Sequence, residues 1–492
     1  MLSSDSSLCN RNVGAEEAQP TEQQKKTTWK SLLPVMACGA GLFSDGYVNN
    51  VIGSVVTILA IQYGDVWKNS GAKEYVGAIS FAGTVVGQLA FGYLSDKWSR
   101  TGSLLASTII LLIFTILTAA SYYHGDSFGM FNMMTVWRFF VGIGIGGEYP
   151  AGSVGCAEST SELKPGTRNM WFILFTNTMI NWGFVFGAFV PYVVAAACHN
   201  ENYSVIWRAS LAIGALFPLL LLVSRFFLSE PREFQKHSLK HARTPYRLVL
   251  RFYGARLAVV SAVWFVYNFS AYSFGLYSSA LIANLLDAAA SAGPPPLTTV
   301  FGWNTVIDLL CMPGSVLGAP LSDLVGPRYA LAGGVAMQAA VGFAMAANYE
   351  RLAQPSMVGA FCAVYGVFLS LAELGPGNNI GLLAAKTCAT GVRGQYYGLA
   401  AAVGKLGAFV GTLVFPYIIA AGGESKTLSA QYPFWVSSSM CVLSALLVLW
   451  GLPNIGQDTI ETEDERFRAF LEENGYDTSQ MGAAGRREAG SP

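Results

Sequence analysis

About twelve stretches of this chain stay apolar for some twenty residues at a time, and no other feature restricts its fold so tightly. A bilayer core about 30 Å thick takes about 20 mostly apolar residues per helical crossing. Backbone polar groups in lipid must pair within their own segment, so such runs fold as membrane-spanning helices. The first six fall at Leu32–Ile61, Tyr75–Leu94, Ser103–Tyr122, Phe131–Cys156, Met170–Ala196 and Ile206–Leu228. Six more fall at Leu257–Leu286, Thr298–Leu321, Tyr329–Ala347, Ser356–Leu374, Tyr396–Ile419 and Phe434–Leu452. The expected fold is an all-α membrane protein of twelve transmembrane helices. Composition agrees, since only 12% of the 492 residues are charged, against about 25% in a typical soluble domain.

Charge excludes one function class and orients the chain. Thirty basic residues balance thirty acidic ones, so no global field exists to hold nucleic acid. The longest internal loop, 230–256, carries Arg232, Lys236, Lys240, Arg243, Arg247, Arg251 and Arg256 against Glu230 and Glu233, and is expected to be cytoplasmic. With six spans on either side, both termini are then cytoplasmic, and Asn202, in the sequon Asn202-Tyr203-Ser204, faces outside as a candidate glycosylation site. A second sequon at Asn268 lies within span 7 and is unavailable. The expected organisation is a disordered polar segment 1–30, a bundle 31–229, the linker 230–256, a second bundle 257–452 and a tail 453–492 lying in water. No signal-peptide pattern is visible at the start. The eight cysteines are widely spaced with no metal-ligand pattern, and the four histidines fall in loops, so neither a metal centre nor an enzyme active site is expected.

An internal repeat supports the six-plus-six division. Gly87 to Asp96 at the end of span 2 recurs in outline as Gly314 to Asp323 at the end of span 8; both finish in Leu-Ser-Asp, and Arg100 and Arg328 follow. Two similar halves imply a pseudo-symmetric transporter that rocks around a midplane site. The segment Gly92-Tyr93-Leu94-Ser95-Asp96-Lys97-Trp98-Ser99-Arg100 resembles the loop motif of the major facilitator superfamily, and Ser229-Glu230-Pro231-Arg232 is similar to an ending common in its sugar-porter-like branches. The resemblance implies the major facilitator fold of two pseudo-symmetric six-helix bundles. It also implies gating roles for Asp96 and Arg100, and for Asp323 and Arg328 in the repeat.

Ionisable side chains within spans are costly and usually face a cavity or a partner. Asp45 and Asn49 stand four apart on one face of span 1, as a proton site or a structural acid. Span 4 carries Arg138 and then Gly142-Ile143-Gly144-Ile145-Gly146-Gly147-Glu148-Tyr149-Pro150; with no preceding strand this is no dinucleotide loop, and glycine packing explains the glycines but not Glu148. Span 7 presents Trp264, Asn268 and Tyr272 as one stripe. Lys405 stands near the centre of span 11, where snorkelling cannot free it, so a carboxylate or an anionic substrate is its expected partner.

These positions resemble the fungal and plant phosphate:proton symporter branch, which carries Gly-Gly-Asp-Tyr-Pro in helix 4, Trp-x3-Asp-x3-Tyr in helix 7 and Gly-Lys in helix 11. Here Glu148 and Asn268 replace the two aspartates. The Gly-Gly-Glu-Tyr-Pro-Ala-Gly-Ser form, with Trp171 to Asn177 in span 5, is most similar to fungal glycerophosphodiester permeases. Replacing an acid by Asn268 leaves a less negative site that keeps its hydrogen bonding, which suits an organic phosphate monoanion. The resemblance implies proton-coupled uptake of glycerophosphodiesters or related organic phosphates across the cell membrane by a monomer without cofactors. Its implied anion site is Tyr149, Asn177, Trp264, Asn268, Tyr272, Asn378 and Lys405, with Asp45 and Glu148 as mutually repelling proton acceptors in one cavity. Transport or export of another organic anion, and a non-transporting nutrient sensor, are the alternatives.

Overall fold

The computed structural model describes residues 27–289, 296–456, 459–479 and 481–482; most of the polar segment 1–30 lies outside the described residues. Helices account for its regular structure, with no strand among the described residues. The first span, α1, is broken into Trp29–Gly39 and Leu42–Asn69. The rest of the first half is α2 (Ala72–Lys97), α3 (Arg100–Ala119), α4 (Ser127–Thr160), α5 (Arg168–Ala197) and α6 (Tyr203–Arg225). The second half is α7 (Tyr246–Ala289), α8 (Leu297–Leu324), α9 (Pro327–Ala347), α10 (Val358–Lys386), α11 (Thr390–Ala420) and α12 (Lys426–Gly451). Among the described residues, eleven helices, α2 to α12, are long and apolar enough to cross a membrane. The first span is less apolar because it carries Asp45, Asn49 and Asn50. Exposed Leu220, Phe227, Leu317 and Trp450 belong to the apolar surface that lipid covers.

Within each half, α2 packs on α4 and α1 on α5, and correspondingly α8 packs on α10 and α7 on α11. The halves meet along α2 with α11 and α5 with α8, pairs exchanged by the pseudo-twofold. A π turn interrupts α4 at Glu148–Ser153 and α10 at Glu373–Gly377. Each holds a proline, Pro150 or Pro376, whose missing N–H and ring the wider turn accommodates. Each also begins with an acid, so the repeat extends to the buried carboxylates of the two halves.

Two features depart from the sequence reading. The linker is largely structured: it contains the helix Arg232–His237, and α7 starts at Tyr246. The tail, expected in water, carries α13 (Thr459–Glu473). Ile460, Phe467 and Leu471 repeat at helical spacing and are buried; the Phe467 ring lies 5.8 Å from Phe252 and 5.4 Å from Tyr253. Asp464 accepts the Thr390 N–H at 2.5 Å and its hydroxyl at 2.7 Å, so the tail grips the start of α11. The seven described cysteines are free thiols. Asn202 is exposed at the start of α6, on the face opposite the linker, and Asn268 is buried in α7.

Candidate functional site

A cavity of about 1460 Å³, counting space open to solvent, lies between the halves. It is lined from α1, α2, α4, α5, α7, α8, α10 and α11. Two polar groups border it.

The first joins α1, α4, α7 and α11. Asn49 donates to Asp45 at 2.5 Å, the Tyr149 hydroxyl donates to the other Asp45 oxygen, and the Lys405 ammonium lies 3.5 Å from that same oxygen. Lys405 also donates to the Tyr272 hydroxyl and sits 5.0 Å from the Tyr149 ring centre and 4.0 Å from that of Tyr272. Lys405 and Asp45 are both 1% exposed and stand one layer behind the cavity wall, which Asn49, Tyr149 and Tyr272 form in front of them. Gly404 makes this fit possible: a Cβ there would meet the Trp264 ring at 2.7 Å and the Asn268 amide at 3.2 Å. Glycine thus lets the α7 stripe lie against α11, and Trp264, Asn268 and Tyr272 all reach the cavity.

The second group joins α5, α7, α8 and α10. Glu373 accepts from Asn177 and Asn181, each at 2.8 Å, and from the Tyr267 hydroxyl at 3.1 Å. Asn177 also donates to Asn378 at 2.9 Å, and Asn378 donates to the Ser315 carbonyl at 2.9 Å. Nearby, Asn50 bridges the Phe184 carbonyl at 2.5 Å and Asp308 at 2.6 Å.

Glu148 is not with Asp45. It points into the first bundle and pairs with Arg225 of α6 through two bonds of 2.6 Å, with Ser107 and Thr108 hydroxyls donating at 3.1 and 3.3 Å. The expectation of two carboxylates repelling across one cavity is therefore corrected. Gly41, at the break in α1, clears space for this pair: a Cβ would lie 2.0 Å from a Glu148 oxygen.

At the linker face the repeat ties each half to the other. Asp96, at the end of α2, accepts the Gly394 and Gln395 N–H groups at the start of α11 at 2.9 and 2.8 Å. Asp323, at the end of α8, accepts the Asn169 and Met170 N–H groups at the start of α5 at 3.2 and 2.8 Å. A carboxylate at a helix N-terminus meets unpaired N–H groups and the positive end of the helix dipole. Arg100 bonds Asp96 at 2.6 Å and Glu158 at 3.0 Å, and Arg393 from the other half reaches Glu158 at 3.1 Å. Arg328 does not repeat this role; it donates to the Leu449 carbonyl within its own half.

Of the residues expected at the site, the structure brings Asp45, Tyr149, Tyr272 and Lys405 together in one group and Asn177 and Asn378 in the other. Sequence reasoning missed Asp308, Glu373, Asn181, Tyr267 and Arg225. Asp308 and Glu373 carried a signal, since each is an acid inside an apolar run, and Glu373 precedes a proline as Glu148 does.

A central cavity between pseudo-equivalent halves, tied shut at one end by equivalent helix-capping carboxylates, is the architecture of a secondary transporter. The chain belongs to the sugar (and other) transporter family of the major facilitator superfamily, whose model matches residues 33–248 and 233–467. It is 44% identical over 475 residues to the glycerophosphodiester transporter GIT2 of Candida albicans, covering 95% of this chain and 88% of that protein. The same organism's major glycerophosphoinositol permease GIT3 is 43% identical over 460 residues, 92% of this chain and 84% of the relative. The fold is similar to the proton:xylose symporter XylE, with a TM-score of 0.68 at 18% identity over 89% of this chain and 98% of that one.

Proposed function

We propose that this protein imports glycerophosphodiesters together with protons, as a monomer in the cell membrane with both termini cytoplasmic. The similarity to glycerophosphodiester carriers supports the substrate class. The Lys405–Asp45 pair is the single observation that carries the coupling. With Asp45 ionised, the Lys405 charge is committed to it. A proton on Asp45 cancels that attraction and frees Lys405 for the phosphodiester oxygens, with the Tyr149 and Tyr272 hydroxyls as further donors. Proton and anion then enter together and leave together. Glu148, held by Arg225, anchors α4 in this scheme and takes no proton. In proteoliposomes, uptake of glycerophosphocholine or glycerophosphoinositol should rise with an inward proton gradient and exceed that of inorganic phosphate. Uptake indifferent to the gradient, or absent, would sink the reading.

The linker face is the cytoplasmic gate in this scheme, and its ties must break for substrate to leave. Asp96→Asn removes the charge that holds Gly394 and Gln395, a charge-assisted contribution of about 1.5–3 kcal/mol. Cys388 is fully buried, and its carbonyl accepts from Arg393, the residue before Gly394. Its rate of maleimide labelling in a variant lacking the other cysteines should rise at least about tenfold, since 1.4 kcal/mol is a factor of ten. An unchanged rate would show that the tie does not gate.

A further inference from the structure

We propose that the part of the cavity bordered by Glu373 and Asp308 receives the positively charged head group of a zwitterionic glycerophosphodiester, a quaternary ammonium in particular. The inference rests on the function proposed above and specifies which member of the class the site is built to take.

Among the described residues that line the cavity, the carboxylates are Asp308 and Glu373, and there is no lysine, arginine or histidine. Lys405 stands behind the wall and is committed to Asp45. The donors on Glu373 are two amides and a phenol, and Asp308 accepts from the Asn50 amide. Neutral donors solvate a carboxylate without cancelling its charge, so two such groups on one cavity attract a cation and oppose a bare anion. A phosphodiester with a neutral head group brings only negative charge to this wall. One with an ammonium head brings none in sum, and each end finds its complement: phosphate toward Lys405 on the α1–α4–α11 side, ammonium toward Glu373 and Asp308 on the α5–α8–α10 side.

The geometry favours an ammonium over a polyol as well. Glu373 already accepts three hydrogen bonds, two on Oε2 and one on Oε1. That leaves about one of a carboxylate's four acceptor positions for a polyol hydroxyl. A quaternary ammonium has no N–H to place; it needs negative charge and aromatic faces, and Phe184, Tyr267, Tyr365 and Trp264 line the same cavity.

Transport by the full-length protein in proteoliposomes tests this with glycerophosphocholine, glycerophosphoinositol and glycerophosphoglycerol. The wild type should favour glycerophosphocholine by about tenfold or more in kcat/KM, the size of one desolvated cation–π or charge contact. Glu373→Gln, which keeps the shape but removes the charge and turns one accepting oxygen into a donor, should erase that preference by raising KM for glycerophosphocholine about tenfold more than for the two neutral-head substrates; Glu373→Asp should restore part of it. Equal loss for all three substrates would overturn the proposal and make Glu373 a structural or proton-carrying group. Should the variants fail to fold, the wild-type preference decides alone: transport of the neutral-head substrates as well as glycerophosphocholine overturns this inference and leaves the proposed function standing. Transport of none of the three overturns that function, and this inference with it.

Discussion

Lys405→Met should lower glycerophosphodiester uptake at least about thirtyfold, and Asp45→Asn should leave binding intact but uncouple it from the proton gradient. Truncating one partner of a buried charge pair at a binding site costs about 2–5 kcal/mol, and each 1.36 kcal/mol is a tenfold change in rate. Lys405 is the cation next to the cavity wall, so nothing on that wall replaces it. Lys405→Arg is not expected to rescue fully, because the compact ammonium that now meets both Asp45 and the Tyr272 hydroxyl is replaced by a longer, planar fork. Asp45→Asn imitates the protonated state permanently. Lys405 is then always free, so counterflow exchange of labelled substrate should persist at neutral pH while accumulation against a gradient disappears. The double variant Asp45→Asn/Lys405→Met removes both charges together and should fold, yet not bind, which separates lost recognition from lost stability. Gradient-driven accumulation by Asp45→Asn would refute the coupling scheme.

The two levels of this molecule were unequally legible. Spans were readable because each must satisfy its own backbone, which imposes a run of apolar residues that no tertiary contact needs to supply. The Leu-Ser-Asp repeat was readable too, because two helix starts must be capped by equivalent carboxylates, and it led to Asp96 and Asp323. Partnering was not. Whether Glu148 meets Asp45 or Arg225 depends on the rotation of α4 about its axis, which its neighbours in the bundle set and a single span's sequence does not. Tyr149, about 100° round the helix from Glu148, faces the cavity while Glu148 faces α6. Arg225 sits at the end of an apolar run where a cation reads as a boundary marker, although it is 1% exposed. The tail helix was hidden for the opposite reason: its composition is polar, and only the spacing of Ile460, Phe467 and Leu471 betrays a buried face.

The same rotation makes a second large effect testable. Arg225→Met should destabilise the protein by about 3–5 kcal/mol, because it leaves the Glu148 carboxylate buried with hydroxyl donors and no countercharge. Glu148→Gln should cost a similar amount by stranding the guanidinium, whose Nη atoms each bond one Glu148 oxygen at 2.6 Å. Gly41→Ala reaches the same pair from outside, since its Cβ would lie 2.0 Å from Glu148 and 2.3 Å from Arg225 atoms belonging to both partners. Removing both charges, as Glu148→Met/Arg225→Met, should recover most of the loss, because two uncharged side chains need no mutual compensation. Thermal unfolding in detergent reads these differences. Transport at several pH values by the fraction that folds separates an anchor from a proton carrier: an anchor leaves the pH profile of Glu148→Gln like that of the wild type, whereas a proton carrier flattens it in a protein of normal stability. Because α4 bears Glu148 on one face and Tyr149 on the other, the ion pair fixes the angle at which Tyr149 meets Asp45, so a folded Gly41→Ala variant should bind substrate more weakly even though no cavity residue has changed.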